Sequence, residues 1–232
     1  MSSYVIRLNE IMLAARSIRQ ETTYVLGWGV IFSEKNTAEI YRKIGLVHQL
    51  VERAAEEAVE ITPTQKANVV HWHSQIYKAL VNTERGSQWQ HFLSKIDNHA
   101  FNYLSAQAEL CKYILGPKII DADKISQASH LLRQAIEEIR SSNLSIEIKM
   151  SLVRRLRSMA EALDDYIITG DDAIFDEFKI TLIDLSAATE KDIDIPAKSK
   201  IREGLAIVSD LMSTAGGLAT LAPPIAGLLG RI

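Results

Sequence analysis

Apolar residues recur at helical spacing along almost the whole chain, and only five prolines interrupt it. The first stretch, residues 4–21, shows the pattern, since Val5, Leu8 and Met12 fall on one stripe that Ala15 continues. Spacings of three and four residues place such side chains on one face of an α-helix. Helices joined by short polar turns pack as antiparallel neighbours. The sequence therefore predicts an all-α fold, an elongated antiparallel helical bundle.

Capping residues and chain breakers give the expected helix boundaries. Asn36, with Glu39 three residues later, has the pattern of a capping box and predicts a helix through Val59. One long helix is expected from Trp89 to the Gly116-Pro117 stop, because glycine and proline end helices. Another is expected to run from near Ser145 to Gly170.

Residues 22–32 are strongly apolar, with Gly27 and Gly29 placed among large side chains. Such a run fits either a strand or a helix. A single strand without partners would leave its backbone groups unpaired. A buried helix or turn interrupted by glycines is therefore favoured.

The C-terminal stretch has no charged residue from Leu211 to Gly230 and is rich in glycine and alanine. About 20 uncharged residues are the length that crosses a bilayer as a helix, but Pro223-Pro224 breaks any single straight helix. We expect an apolar, small-residue helical element that inserts conditionally as a hairpin or wedge, or packs against protein. The predicted membrane or oligomer contacts are Leu211, Leu218, Leu221, Ile225, Leu228 and Leu229.

Basic residues precede this stretch and suit anionic headgroups or another anion. The predicted headgroup or anion contacts are Lys198, Lys200 and Arg202. Residues 191–197 are mixed in charge, contain a proline and predict a linker. The predicted organisation is therefore a bundle body over residues 1–190, a linker over 191–197 and the apolar element over 198–232.

No pattern for a metal or a cofactor is present. None of the six histidines belongs to a Glu-x-x-His pair or a His-Glu-x-x-His motif. His71 and His73 are two residues apart, and helical geometry turns them to different faces. Cys111 is the only cysteine, which excludes an intramolecular disulfide and a thiolate zinc site. We therefore expect no cofactor and no metal.

Lys149, Arg154, Arg155 and Arg157 make one predicted helix locally basic. Arg154 and Arg157 share a face, because they are three residues apart. This face is interpreted as a solvated one, with a small anionic contact as the alternative.

Arginine is followed at a fixed distance by histidine twice, as Arg85 with His91 and as Arg42 with His48. This spacing resembles the Arg-x(4–6)-His signature of HEPN ribonucleases, which are all-α bundles that commonly act as dimers. The resemblance implies that Arg85 and His91 would meet at a dimer cleft. There the cation would stabilise charge and the imidazole would move protons while the RNA 2′-hydroxyl attacks. The polar residue that usually follows the arginine is Gly86 in this chain.

The net charge and the N-terminal sequence limit the partners and the cellular location that are expected. The net charge of -3 argues against a surface that coats nucleic acid in general. Arg7 and Glu10 stand where a signal peptide would need an apolar core. We expect a cytoplasmic protein that associates peripherally or conditionally with the inner membrane.

These observations favour a non-enzymatic interaction or effector protein whose uncharged C-terminal segment mediates oligomerisation or conditional membrane association. Its partner would be another protein, a second copy or a membrane reached through residues 204–232. Toxin-like and phage-defence effectors share this architecture, which is an analogy of architecture alone. Two alternatives stay open. One is a soluble helical adaptor whose tail packs on its own core, and the other is the HEPN-like ribonuclease.

Overall fold

The computed structural model describes residues 3–115, 121–189, 195 and 197–214. Within these residues the chain forms α-helices, one short 3-10 helix and no strand, and Thr23 and Gln88 make a single isolated bridge. The prediction of an all-α bundle is confirmed. The chain divides into two compact units, Ser2–Pro117 and Lys118–Ile232, called here the N-terminal and C-terminal units.

The N-terminal unit contains six α-helices in its described part. They are α1 (Tyr4–Ser17), α2 (Tyr24–Ile31), α3 (Thr37–Ile61), α4 (Lys66–Val81), α5 (Trp89–Leu93) and α6 (Asn98–Leu115), with a 3-10 helix at Pro63–Gln65 between α3 and α4. The helix favoured for residues 22–32 is present as α2. Asn36 caps α3 as predicted, because its side chain accepts a hydrogen bond from the Ala38 N–H. Glu39 does not complete a capping box, since its carboxylate pairs with Arg42 instead.

Four of these helices form a ring in which α1 packs against α3 and α6, and α4 closes the ring between α3 and α6. Helices α1 and α3 are antiparallel, because Ser3 at the start of α1 donates a hydrogen bond to Glu57 near the end of α3. The interior is apolar, with polar pairs at a few points. The Trp72 indole N–H, for example, donates to Gln107 of α6 over 2.6 Å.

An aromatic cluster joins α2 and α5 at one place in this unit. Trp28 and Trp89 are fully buried, and their rings meet edge to face at 5.4 Å between centroids. Tyr24 and Phe92 complete the cluster. Burial raises the pKa of Tyr24 to about 12, because the phenolate would lose its hydration there. Gly27 lies against the face of Trp89, at a distance that leaves no room for a side chain.

The C-terminal unit contains five α-helices in its described part. They are α7 (Ala122–Ser141), α8 (Ile146–Asp164), α9 (Tyr166–Thr169), α10 (Asp171–Thr189) and α11 (Lys198–Thr214). The four long helices again form a ring, in the order α7, α8, α10, α11. Its core includes Leu132 of α7, Leu156 of α8, Phe178 of α10 and Leu205 of α11.

Two predicted long helices are each divided in the structure. The helix expected from Trp89 to the Gly116-Pro117 stop breaks at Ser94–Asp97, because the Asp97 carboxylate accepts the Ala100 N–H and begins α6 anew. The helix expected to reach Gly170 breaks at Asp165, between α8 and α9. Gly170 does end α9, in the positive-φ conformation that favours glycine.

The two units differ from the predicted organisation of a body over residues 1–190 with a separate element from residue 198. The division falls at Pro117–Lys118. Helix α11 lies inside the second unit, because its apolar face is buried against α7. The described part of the predicted element thus belongs to the core of the C-terminal unit, and residues 215–232 lie outside the described residues.

Candidate functional site

Helix α11 is anchored in the C-terminal unit, and the uncharged C-terminal segment begins at Leu211, near the end of this helix. Ile201, Leu205 and Val208 are fully buried in the core of the C-terminal unit. Gly204 lies between them and allows a close approach, since a Cβ at that position would lie 3.3 Å from the Leu132 side chain. Helix α11 is thus held against α7 along its length.

Two ion pairs fix the antiparallel register of α7 and α11. Lys200, near the start of α11, pairs with Glu138 near the end of α7. Lys124, near the start of α7, pairs with Asp210 near the end of α11. The hydrogen bond and the charge of Asp210 raise the pKa of Lys124. Because both pairs are partly exposed, they define the register more than they stabilise it.

The predicted contact residues fall in different places. Leu211 is only 4% exposed and belongs to the core of the C-terminal unit. Lys200 is engaged with Glu138, Lys198 is half-buried and Arg202 is exposed. The other predicted membrane or oligomer contacts, Leu218, Leu221, Ile225, Leu228 and Leu229, lie outside the described residues.

The outward face of α8 combines apolar and basic residues. Ile146 and Met150 are 73% and 68% exposed, respectively. Arg154 and Arg157 follow on the same face and, with Met150, line a cavity of about 740 Å³. Sequence reasoning placed the two arginines together but missed the exposed Ile146 and Met150. The sequence did carry a signal for this exposure, because Ile146 and Met150 do not belong to the stripe of buried residues on α8. That stripe consists of Leu152, Leu156, Met159 and Leu163.

A second groove lies between α3 and α4 of the N-terminal unit, and sequence reasoning did not find it. Its volume is about 400 Å³, and its floor is formed by the small or branched apolar side chains of Ala55, Val59, Val69 and Val70. Glu56 and Glu60 stand on the α3 side of the groove, and His73 stands on the α4 side. Periodicity could not reveal it, because a groove depends on how two helices meet.

The histidines of α4 bind to carboxylates on separate faces, as their spacing predicted. His73 contacts Glu52 of α3 at 3.0 Å, and His71 contacts Asp97 at 3.1 Å. Asp97 also accepts hydrogen bonds from the Gln75 side chain and the Ala100 N–H, each over 2.7 Å. These hydrogen bonds, with a smaller contribution from His71, hold the pKa of Asp97 well below its usual range.

Replacing Asp97 with asparagine is expected to lower the melting temperature of the chain at neutral pH. The pKa of Asp97 is lower in the folded chain than in the unfolded chain, where it is near 3.9. The ionised carboxylate therefore stabilises the folded state at any pH above about 3.9, and this stabilisation is lost as the pH falls toward the pKa of the folded state. The difference between wild type and Asp97→Asn should therefore be present at pH 4 and above and should narrow as the pH falls below about 4. Circular dichroism melts across this range would check it. Glu84→Gln, at an exposed site, is the control. A difference that persists undiminished well below pH 4 would contradict the assignment.

Arg85 and His91 make separate contacts. The Arg85 guanidinium lies over the Tyr41 ring, 4.5 Å from its centroid. His91 is exposed on α5, and its carbonyl accepts hydrogen bonds from Ser94 and Lys95. Within the described residues the two side chains make no hydrogen bond or ring contact with each other. Arg42 pairs with Glu39, and the rings of His48 and Tyr77 meet edge to face.

Two kinds of site are missing from the part of the chain that the structure describes. Within them, no group of three or more His, Cys, Asp or Glu side chains is arranged to hold a metal ion. None of the described helices combines the length and the apolar character that a bilayer crossing requires.

No protein-family model, curated protein or solved structure matches the chain. Function must therefore be inferred from the residues themselves.

Proposed function

We propose that this chain is a non-enzymatic interaction protein that acts through its uncharged C-terminal segment, by self-association or by conditional association with a membrane. The main support is the arrangement at the end of α11. Leu211 and Met212 are the last residues described in the core, and the sequence after them stays free of charge to Gly230. A folded helix thus leads directly into a stretch that gains free energy by leaving water.

The composition of the segment supports a contact role. Each leucine or isoleucine moved from water into lipid or a protein surface contributes about 1.5–3 kcal/mol. Leu218, Leu221, Ile225 and Leu228 would supply several such gains. The many glycines and alanines would let helices approach closely. Pro223-Pro224 opposes a single straight helix and favours a hairpin or wedge.

Basic residues near the segment fit an anionic surface. Arg202 is exposed and Lys198 is half-buried, so both can approach headgroups. Each cation near such a surface contributes about 1 kcal/mol. Lys200 would first have to leave Glu138, so we assign the headgroup contact to Lys198 and Arg202.

A soluble adaptor is the second candidate, and one observation favours it. The outward face of α8 leaves Ile146 and Met150 exposed. In this alternative residues 215–232 would cover an apolar face of their own unit and act on no membrane.

We expect the full chain to float with vesicles that contain phosphatidylserine, and a chain ending at Thr214 to stay in the soluble fraction. Ending at Thr214 keeps all of α11 and its buried residues, so the two proteins differ only in residues 215–232. The full chain carrying Leu221→Asp should also float less, because a charge in the segment opposes entry into lipid. Vesicle flotation, with the protein quantified in each fraction, would measure this.

The matched control is Leu26→Asp, which places the same charge at a leucine that is exposed on α2. Sedimentation velocity without vesicles tests self-association, which should be lost in the chain ending at Thr214. If both chains remain soluble and monomeric in every condition, the proposal is wrong and the adaptor becomes the better account.

A further inference from the structure

From the groove between α3 and α4, we infer a docking site for a basic amphipathic helix of a partner protein. This site is in the N-terminal unit and is independent of the C-terminal segment. Its floor is apolar, and Val70 is 58% exposed there. The volume of about 400 Å³ suits a few aliphatic side chains of a helix laid along the groove.

The acidic side of the groove determines the charge of the partner. Glu52, Glu56 and Glu60 follow one another at intervals of four residues along α3, so they form a ridge on one face. Glu52 is bound to His73. Glu56 and Glu60 make no ion pair or hydrogen bond within the described residues. Among the described residues that line the groove, none is a lysine or an arginine.

A partner that covers this groove must compensate the two carboxylates. Covering them with apolar side chains alone would remove water from unpaired charges, which is costly. Lysine or arginine at positions i and i+4 of a partner helix would meet Glu56 and Glu60, because four residues rise about 6 Å in both helices. Leucine-like residues on the adjoining stripe would fill the floor between Val59 and Val70.

The same charges disfavour two other occupants. A second copy pairing groove to groove would place Glu56 and Glu60 against their own equivalents, and such like charges repel. An anionic membrane surface would be repelled by the ridge for the same reason. A cationic helix is the occupant that matches both the floor and its edge.

The probe is a fluorescein-labelled 18-residue helical peptide with a leucine stripe flanked by lysines, and its matched partner carries glutamate in place of every lysine. We expect the full-length protein to bind the lysine peptide in fluorescence anisotropy and to ignore the glutamate peptide. Glu56→Lys combined with Glu60→Lys should weaken binding by about 10-fold or more, since it reverses the charge along the edge. Val70→Asp should weaken binding to a similar degree.

Glu10→Lys, at an exposed glutamate of α1, is the matched control and should leave the affinity unchanged. Unchanged circular dichroism melts would show that the variants fold. Binding of neither peptide, equal binding of both, or binding that survives the groove substitutions would overturn the inference. So would self-association that Val70→Asp abolishes, since the occupant would then be a second copy. Loss of the C-terminal segment should have no effect on peptide binding, which separates this site from the proposed function.

Discussion

Replacing Gly27 with alanine is expected to destabilise the N-terminal unit by about 3 kcal/mol, the upper part of the usual cost of overpacking a core. A Cβ at this position would lie 2.1 Å from the ring of Trp89, which is fully buried. Trp89 cannot move aside easily, because Tyr24, Trp28 and Phe92 surround it. Urea unfolding followed by tryptophan emission is a suitable measurement, since all three tryptophans of the chain belong to this unit.

Gly45→Ala is the matched control for this prediction. Gly45 lies within α3, and a Cβ there would have no neighbour within 4 Å. Alanine should therefore stabilise the helix by about 0.5–1 kcal/mol, because it loses less backbone entropy on folding. Changes of the same sign in both variants would show that the contact with Trp89 does not control the effect.

These glycines illustrate what the sequence can predict of the fold. Helical spacing identified the class and most of the buried stripes, because a packed helix needs an apolar face every three to four residues. The role of Gly27 depends on Trp89, which is 62 positions away in the sequence, and no local pattern records such a contact. The break before α6 was missed for a related reason. Asp97 begins α6 by accepting the Ala100 N–H, and its further partners, Gln75 and His71, come from α4.

The candidate sites were predictable to different degrees. Helical spacing alone placed Arg154 and Arg157 on one face, and both do line the α8 cavity. Leu211 was predicted as a membrane or oligomer contact, with packing on the protein's own core as the alternative. The sequence left this open, because it shows an uncharged run that begins there and does not show where the core ends. The fold uses the start of this run for its own packing. The absence of charge indicates that a segment avoids water. Only the packing shows which part of that segment is already buried in the core.

A chain that ends at Glu203 is expected to lose the folded C-terminal unit. This truncation removes Leu205, Val208, Leu211 and Met212, which are all buried in the core. At about 2 kcal/mol for each side chain, the loss is about 8 kcal/mol. That equals much of the total stability of a typical domain. Hydrogen exchange over α7 should therefore become fast, and helical circular dichroism should fall.

A chain that ends at Thr214 is the comparison that shows whether the loss of α11 causes this unfolding. The two truncations differ by eleven residues, and only the shorter chain loses buried side chains of α11. If α7 stays protected in both, then α11 contributes little to the core and could act as a free element. If protection is lost in both, residues 215–232 belong to the core, as the adaptor alternative requires. Protection that is kept at Thr214 and lost at Glu203 would separate the part of the apolar run that builds the fold from the part that is available to a membrane or a second copy.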